Sequence, residues 1–409
     1  MKTSTFISHY NCFYLAFCFL WPVIWAYYLH IDAAGRMLLL FSIIALLLNF
    51  GEFKKKKRHF GSAAFVCWTI LVVYSFVNSM VKGFVSEFGA LSFIQNNFLI
   101  PFVFLFVTIV QIDNDPFRCL NVLLLVQLVY LVIGASHISL MLFDERSGNN
   151  ELGNALPTVA STCAFVASLL FCDRKLKGGW IVYLIIITFV LAIIVICATR
   201  KALGALVLIL IGMMLGRFQK LNLKSIFVCF LAAIVMFIGL QRIMDNTLIG
   251  TRLEERSDTF NVPLSSNQQV NDFLMLLLDD RALQYYECIN IHHEYPLTGV
   301  GLLNYVVINN ANFRLHSEYL VHYYENGIIG LILLLLFYFI LLKRLNQKRK
   351  TGDNIFLKLF GLLSVLFLNL TTWTYNSLNV MLVYAVVITQ SYFLKTEPIV
   401  TITDQNENA

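Results

Sequence analysis

The sequence predicts an all-α polytopic membrane protein with about twelve transmembrane helices and one large, mostly helical loop between helices 9 and 10. Of its 409 residues 58% are hydrophobic and 13% are charged, whereas an ordinary soluble domain has about 25% charged residues. Mean hydropathy is +0.73. The apolar residues, 35 Phe among them, form runs near the roughly 20 residues that a helix needs to cross a bilayer. A soluble globular protein is therefore excluded.

Apolar stretches along the chain each predict one membrane-spanning helix. They lie at about residues 10–29, 37–50, 60–80, 98–111, 119–141, 157–172, 180–197, 203–215, 225–241, 327–342, 355–371 and 378–394. The first follows Lys2 and has no small-residue cleavage pattern after it, so we expect a retained span. The chain then divides into helices 1–9 over residues 1–241, a loop over 242–326, helices 10–12 over 327–394 and a tail over 395–409.

Basic residues predict the orientation of these helices. Lys54–Arg58 are five consecutive cations behind the second stretch, and cytoplasmic loops carry an excess of positive charge. A count from a cytoplasmic N-terminus places further polar connections on the same side, namely DNDPFR, DRKLKGG, GRFQKLNLK, KRLNQKRK and the tail after Leu394. The 242–326 loop is then outside the cell membrane.

Charge and cysteine usage narrow the possible partners. The formal charge of +6 is spread over short clusters rather than gathered in one patch, which argues against nucleic acid as a partner. The nine Cys lie mostly in or beside apolar stretches, and their spacing indicates neither a disulfide framework nor a CxxC site.

Arg200 and Lys201 break the charge rule, because the count places them in a tight turn at the outer face. A guanidinium there can bind a diphosphate through two hydrogen bonds, and a lysine adds a mobile point charge. Two alternatives remain open. Both side chains can extend to lipid phosphates, or the topology inverts here, which would spoil the agreement among the basic loops.

The outer loop carries a second motif, in which Arg281 opens the stretch RALQYYECINI. Residues 271–291 are amphipathic and predict a helix at the membrane interface. A turn follows, predicted by the run PLTGVG from Pro296 to Gly301. Arg281 can face an anion, or it can form a surface salt bridge with the preceding aspartates.

The same loop contains adjacent histidines that invite comparison with a metal site. His292 and His293 are followed by Glu294, but adjacent residues on one element point in different directions, and HExxH spacing is missing. We therefore predict no metal.

A third motif, HSEYLVHYYENGIIGLI, joins the loop to the tenth span. The spacing of His316, Tyr319 and Tyr323 predicts that they share one helical face. A histidine just outside a bilayer can accept a proton near neutral pH, so His316, beside Arg314 and Glu318, is a candidate general base. The alternative is an interfacial helix start whose tyrosines form an aromatic belt.

Two further patterns in this motif predict structure rather than chemistry. Glu318 and His322 are four residues apart and can pair on the helix. Gly327 and Gly330 are typical of close packing between helices.

The three motifs resemble those of the bacterial O-antigen polymerases and O-antigen ligases, membrane glycosyltransferases that use polyprenyl-diphosphate-linked sugars. ATRKALGAL resembles the family's segment with Ser-Arg, and RALQYY with YPLTGVGLLNY resembles its Arg and Pro-Gly-x-Gly segment. HSEYLVHYYENGIIGLI resembles its His-Asn-x-x-Leu segment with Gly-x-x-Gly. Thr199 replaces a frequent Ser and Ser317 a frequent Asn, and both keep a hydrogen-bonding group.

The resemblance implies an O-antigen polymerase that joins lipid-linked oligosaccharide repeat units by metal-independent glycosyl transfer. It implies a bacterial inner-membrane location with cytoplasmic termini and a periplasmic active site. His316 would be the catalytic base, and the substrate-binding residues would be Arg200, Lys201, Arg281, Arg314 and Tyr319. No cofactor is expected, and a chain-length regulator is an expected partner besides the two lipid-linked substrates and membrane lipid.

Two alternative functions remain open. A ligase of the same family would transfer the polymer to a lipid A core sugar, and the motifs separate it poorly from a polymerase. A flippase for lipid-linked oligosaccharide would also have about twelve spans, but its charges are expected within the spans and its two halves related. The sequence has no such internal repeat.

Overall fold

A computed structural model describes residues 3–24, 34–83, 93–141, 151–173, 175–197, 200–217, 284–285, 288, 295–305, 315–347, 354–372 and 377–389. Every regular element in these ranges is a helix. In chain order they are α1 (Thr3–Ile24), α2 (Ala34–Lys55), α3 (Lys57–Phe60), α4 (Ala63–Lys82), a π-helix (Gln95–Leu99) that continues into α5 (Ile100–Asn114), α6 (Pro116–Met141), α7 (Glu151–Cys172), α8 (Gly179–Ile196), α9 (Arg200–Arg217), α10 (Glu318–Tyr324), α11 (Gly327–Gln347), α12 (Ile355–Asn369) and α13 (Leu378–Thr389).

These helices confirm a multi-pass membrane protein. Within the described ranges, the helices long and apolar enough to cross a membrane lie at Arg36–Phe53, Ala63–Lys82, Gln95–Asn114, Pro116–Ser136, Ala155–Cys172 and Gly327–Leu345. Shorter apolar helices lie at Thr5–Leu20, Gly179–Val195, Lys201–Gly216, Ile355–Asn369 and Leu378–Thr389. The ninth predicted span, 225–241, lies outside the described residues, so the total of twelve stays a prediction. The same holds for the predicted helix at 271–291 and for the helical content of the 242–326 loop.

Helices α5 and α7 form the centre of the bundle. Most of each is buried among other helices, whereas only a minority of the residues in α2 and α11 are buried. Large apolar side chains such as Leu47 and Phe339 lie on the surface of these two helices. An apolar exterior is what a helix facing lipid requires. The buried and exposed faces therefore agree with a bundle that is surrounded by hydrocarbon.

Helices α9 and α12 run antiparallel and pack closely against each other. An added Cβ at Gly204 would lie 2.5 Å from the ring of Phe367, and one at Gly212 would lie 2.5 Å from Cβ of Phe360. Small residues let helices approach closely in lipid, where packing rather than water exclusion drives association. This packing sets the first residues of α9 beside the last residues of α12.

One end of the bundle, here called the basic end, is formed by loops that the charge count placed together in the cytoplasm. The carboxylate of Asp113, at the end of α5, contacts Lys56 and lies 3.0 Å from Arg58 and 2.9 Å from His59. At the same end the side-chain amide of Asn354 donates to Asp173 over 2.6 Å.

The opposite end, here called the site end, joins loops that the count placed outside. Lys201 Nζ donates to the carbonyl of Thr371 over 3.2 Å, and the Asn78 amide donates to the carbonyl of Glu325 over 3.1 Å. The two groups of loops are thus separated as predicted, while their assignment to the two sides of a cell membrane stays a prediction.

Candidate functional site

The third motif begins in an extended segment that leads into α10. Ser317 has an extended backbone (φ −87°, ψ 132°), and its hydroxyl accepts from the Leu320 amide, which makes it the N-cap of α10. The predicted helical face that includes His316 is therefore wrong, because the helix begins after the cap. Neighbouring side chains of an extended chain point in opposite directions. Leu315 and Ser317 are buried, and His316 between them is half-exposed.

The sequence suggested that Glu318 assists His316. In the structure Glu318 pairs with His322 instead. It is buried, and its carboxylate lies 3.2 Å from Nε2 of the equally buried His322. This confirms the predicted pair on one helix. The Asn326 side-chain nitrogen lies 3.2 Å from Nδ1 of His322. Because an amide nitrogen can only donate, this assignment of the amide makes His322 the tautomer that carries its proton on Nε2.

The glycines after α10 are close-packing positions, although their neighbours are a turn and the preceding part of the chain rather than a second helix. Gly327 has φ +68°, and an added Cβ there would lie 2.4 Å from the carbonyl oxygen of Leu297. At Gly330 the added atom would lie 2.3 Å from Cβ of Asn326. Both positions therefore require the absence of a side chain.

The predicted turn from Pro296 onward packs against the junction of α10 and α11. Gly299 and Gly301 have φ of +76° and +91°, which favours glycine. The Gly301 amide donates to the carbonyl of Glu325 over 2.8 Å, and the Ile328 amide donates to Pro296 over 2.9 Å. The Glu325 carboxylate also accepts a hydrogen bond from the Leu303 amide over 2.8 Å. The second and third motifs are therefore one folded unit.

Side chains of helix α4 form hydrogen bonds with this unit. Besides the Asn78 bond to Glu325, the hydroxyl of Ser79 accepts from the Leu302 amide over 3.0 Å, and the hydroxyl of Tyr74 donates to the carbonyl of Asn326 over 3.0 Å. Since α4 is itself a candidate span, these bonds fix the second and third motifs to the helix bundle.

All three motifs converge on the C-terminal end of α12. The Ser317 hydroxyl, from the third motif, lies 3.2 Å from the carbonyl of Asn369. The Tyr285 hydroxyl, from the second, lies 2.7 Å from the carbonyl of Leu370. Lys201, from the first, reaches Thr371. The last carbonyls of a helix lack partners within it and carry its partial negative charge, so hydroxyls and an ammonium group suit this place.

The predicted site residues stand as follows. Arg200 is the first residue of α9, next to Lys201, although the position of its side chain lies outside the described residues. Arg281 and Arg314 also lie outside them, Arg281 within four positions of Tyr285 and Arg314 two positions before His316 in the chain. The site end therefore brings Lys201 together with Tyr285 and Ser317, and the places of the three arginine side chains stay a prediction.

Tyr319 is more enclosed than an open binding residue would be. Its hydroxyl donates to the carbonyl of Leu366 on α12 over 3.2 Å, and burial, with a smaller contribution from the charge of Glu318, raises its pKa. The hydroxyl hydrogen is therefore engaged with α12, and the sugar- or diphosphate-binding role stays a prediction.

Sequence reasoning missed Gln284 and Tyr285, although they belong to the RALQYY motif. The buried Gln284 accepts from the backbone amide of His316 over 3.1 Å, and Tyr285 lies 2.6 Å from the Ser317 hydroxyl. Desolvation by burial raises the pKa of Tyr285 to about 12. Their only signal in the sequence was closeness to Arg281.

Comparison with known families supports the resemblance drawn from the three motifs. Residues 185–335 match the family model described as O-antigen ligase. The match begins within α8, continues through α9 and α10 to the beginning of α11, and its range includes every predicted site residue. No curated protein matches the chain. The resemblance to the O-antigen ligase and polymerase family is thereby confirmed over this segment.

Proposed function

We propose, from the premise that residues 185–335 form an O-antigen ligase-family segment within a multi-pass membrane protein, that the chain is an O-antigen polymerase. It would join polyprenyl-diphosphate-linked oligosaccharide repeat units at the periplasmic face. The observation that carries the proposal is the convergence of all three motifs on the end of α12. The half-exposed His316 and the cationic first residues of α9 thus lie at the same end of the bundle.

The reaction is a displacement at the anomeric carbon of the donor sugar. The acceptor hydroxyl oxygen bonds to that carbon, the bond from the carbon to the diphosphate oxygen breaks, and its electron pair leaves with the diphosphate. The hydroxyl proton passes to His316, which is our candidate base because its side chain is half-exposed between two buried neighbours. The base returns the proton to solvent before the next turnover.

The developing charge on the leaving diphosphate needs fixed positive groups. Arg200 and Lys201 begin α9, where the helix dipole adds partial positive charge. Lys201 donates to the carbonyl of Thr371, which holds its positive charge at the end of α12 where the diphosphate would bind. With Arg281 and Arg314 these groups supply electrostatic stabilisation, so the proposal includes no metal.

Substrate access follows from the lipid nature of the donor. A polyprenyl chain stays in hydrocarbon, so the donor would approach sideways between helices and present its diphosphate at the site end. Tyr319 would contact the sugar or diphosphate from the first turn of α10. The outer 242–326 loop would cover both substrates, and a chain-length regulator would act on the growing product.

The distribution of charge argues for an enzyme rather than a flippase. In the described helices the charged residues lie near helix ends, as with Lys82, Asp113, Lys201 and Arg344. A transporter that carries an anionic headgroup across the membrane is expected to place charges along its path. The ligase alternative uses the same donor and differs in its acceptor, so it needs a test in cells.

A gene deletion with lipopolysaccharide resolved on a gel distinguishes these functions. A single repeat unit on the core supports polymerase. Bare core with accumulated polyprenyl-linked polymer would identify a ligase instead, and single units held on the cytoplasmic face would identify a flippase. Complementation by the intact gene must restore the original ladder.

Substitution of the leading arginine tests the diphosphate site. Arg200→Ala should abolish product while membrane protein is retained, because the leaving diphosphate loses the guanidinium proposed to bind it through two hydrogen bonds. Arg217→Ala, at the other end of the same helix, is the matched control and should leave product unchanged. Full activity of Arg200→Ala contradicts this part of the proposal.

Substitution of the base separates chemistry from binding. His316→Ala should stop turnover while a lipid-diphosphate donor still binds, whereas exposed His9→Ala should have no effect. Activity in excess chelator is the expected companion result. Loss that a divalent ion restores would overturn the metal-free reaction.

A further inference from the structure

We propose that Tyr285 is a positioning residue for His316 and acts through Ser317. The inference rests on the proposed function, since it assigns Tyr285 to the same reaction. Tyr285 is separated from Ser317 by 32 positions and from Leu370 by 85, yet its hydroxyl contacts both. It joins the second motif, the third motif and α12 at one point.

The hydroxyl contacts form a directed chain. A main-chain carbonyl only accepts, so Tyr285 donates to Leu370 over 2.7 Å and accepts from Ser317 over 2.6 Å, or it donates to Ser317 while Ser317 donates to Asn369 over 3.2 Å. Either arrangement requires a protonated Tyr285, and burial keeps its pKa near 12. This chain of hydroxyl hydrogen bonds therefore keeps its protons at neutral pH.

A second bond holds the neighbouring position. Gln284 accepts from the backbone amide of His316 over 3.1 Å. The consecutive residues Gln284 and Tyr285 therefore contact the consecutive residues His316 and Ser317. Ser317 also caps α10. The backbone of His316 is thus fixed by its own amide, and Ser317 by its helix cap and the Tyr285 hydroxyl. The side chains of Gln284 and Ser317 are buried, and that of Tyr285 is half-buried.

This arrangement determines where the imidazole points. Ser317 can face inward only if its hydroxyl is satisfied there, and the extended backbone then turns His316 outward. A general base must lie within hydrogen-bond reach of the proton it removes, and a displacement of about 1 Å can lower a rate by roughly 100-fold. Loss of the Tyr285 hydroxyl should therefore slow turnover although Tyr285 touches no substrate.

Tyr285→Phe in the full-length protein is the decisive variant. Initial rates with a synthetic polyprenyl-diphosphate-linked repeat unit, expressed per folded molecule, should fall about ten- to a hundred-fold in kcat, with little change in KM. The limb of the pH–rate profile that reports the base should flatten, because proton removal by His316 no longer dominates the residual rate. A purely structural role would lower the amount of folded protein without changing this profile.

Tyr183→Phe is the matched control. Tyr183 is buried, and its hydroxyl lies 3.0 Å from that of Ser168, a hydroxyl pair like the one at the site but remote from it in helices α7 and α8. Its removal should leave kcat and the pH profile of the folded enzyme unchanged. Equal losses in both tyrosine variants would overturn the inference.

Ser317 supplies the second, independent test. Ser317→Ala should lower kcat as Tyr285→Phe does, Ser317→Thr should restore most of it, and the double variant Tyr285→Phe with Ser317→Ala should be no slower than the worse single variant, because both break one chain. Multiplicative losses contradict this chain.

The inference and the proposed function fail in different ways. A wild-type protein that makes no glycosidic product would reject the proposed function. A fully active His316→Ala variant would reject the base assignment and, with it, the positioning role of Tyr285. An active wild type with an inactive His316→Ala and an unaffected Tyr285→Phe would reject the positioning role alone.

Discussion

At the scale of single residues, the site depends on positions where a side chain is absent as much as on those where one is present. Gly299 has φ +76°, and an added Cβ would lie 2.2 Å from the carbonyl oxygen of Glu325. That oxygen already accepts from Gly301 and from Asn78. The turn therefore lies against the α10–α11 junction with no room between the two backbones.

Gly299→Ala should consequently destabilise the site end severely. The substitution adds the strain of a left-handed conformation, about 1–2 kcal/mol, and a backbone clash that no side-chain rotation relieves. Thermal unfolding of purified protein should show a fall larger than that of Gly83→Ala. Gly83 has φ +89° with open space around its Cβ position, so it carries the strain alone. Equal falls would contradict the close approach.

At the scale of elements, most helices could be predicted from the sequence and their ends could not. Apolar runs predicted α4 and α11 because lipid requires them, but α2 continues past its apolar stretch to Lys55, since a polar helix end is stable in the headgroup region. The start of α10 was placed wrongly at His316. Ser317 before Glu318 is a capping signal, which the periodicity of the neighbouring residues obscured.

The candidate site could be predicted only in its chain-local part. Arg200, Lys201 and His316 stood out because charge or a histidine interrupts an apolar run. Gln284, Tyr285 and the end of α12 did not, because their importance comes from contacts between positions far apart in the chain. Helix pairing in a bundle sets such contacts, and a single sequence does not encode it locally.

The α9–α12 pair offers a prediction at this scale. Gly212→Ala would place a Cβ 2.5 Å from Cβ of Phe360 and 3.2 Å from Cα of Leu357, so the helices must separate. Overpacking of this kind destabilises by about 1–3 kcal/mol, and the shift should also reduce turnover, because Lys201 and Thr371 belong to the same pair. Gly51→Ala, in α2 with open space around it, should do neither. Turnover rates and unfolding temperatures of the Gly212→Ala and Gly51→Ala variants test this prediction, and equal losses in both would contradict it.

The basic end gives a pH dependence with a definite sign. Burial lowers the pKa of His59, with Arg58 and Arg344 acting in the same direction and Asp113 opposing them. The folded state then binds a proton less readily than the unfolded chain, whose histidine has a pKa of about 6.5. The stabilisation is full above about pH 6.5 and decreases as the pH falls below it.

The unfolding temperature should therefore fall as the pH is lowered from 7.5 to 5.5, and His59→Gln should reduce that fall. Exposed His9→Gln serves as the control substitution. The cluster around His59 also contains Lys56 and Asp113, so a change at the carboxylate has to be measured separately as Asp113→Asn. An unchanged slope in His59→Gln would contradict the burial argument.

At the scale of the whole molecule, contacts between distant loops sort them into two ends. Lys56 meets Asp113 and Asp173 meets Asn354 at the basic end, while the motifs meet α4 and α12 at the site end. This separation is the pattern expected when each helix crosses the membrane once. The positive-inside rule then predicts which end faces the cytoplasm, and the proposed chemistry requires the site end to face the periplasm.

Labelling of single introduced cysteines tests this orientation. Leu297 is 62% exposed at the site end, and Lys57 is exposed at the basic end. Leu297→Cys should react with a membrane-impermeant maleimide in cells whose outer membrane has been opened. Lys57→Cys should react only after the inner membrane is permeabilised. The native cysteines in the described ranges are buried or half-buried, so the unaltered protein provides the background. The reverse pattern would place His316 in the cytoplasm, away from the periplasmic substrates, and would reject a periplasmic polymerase at its foundation.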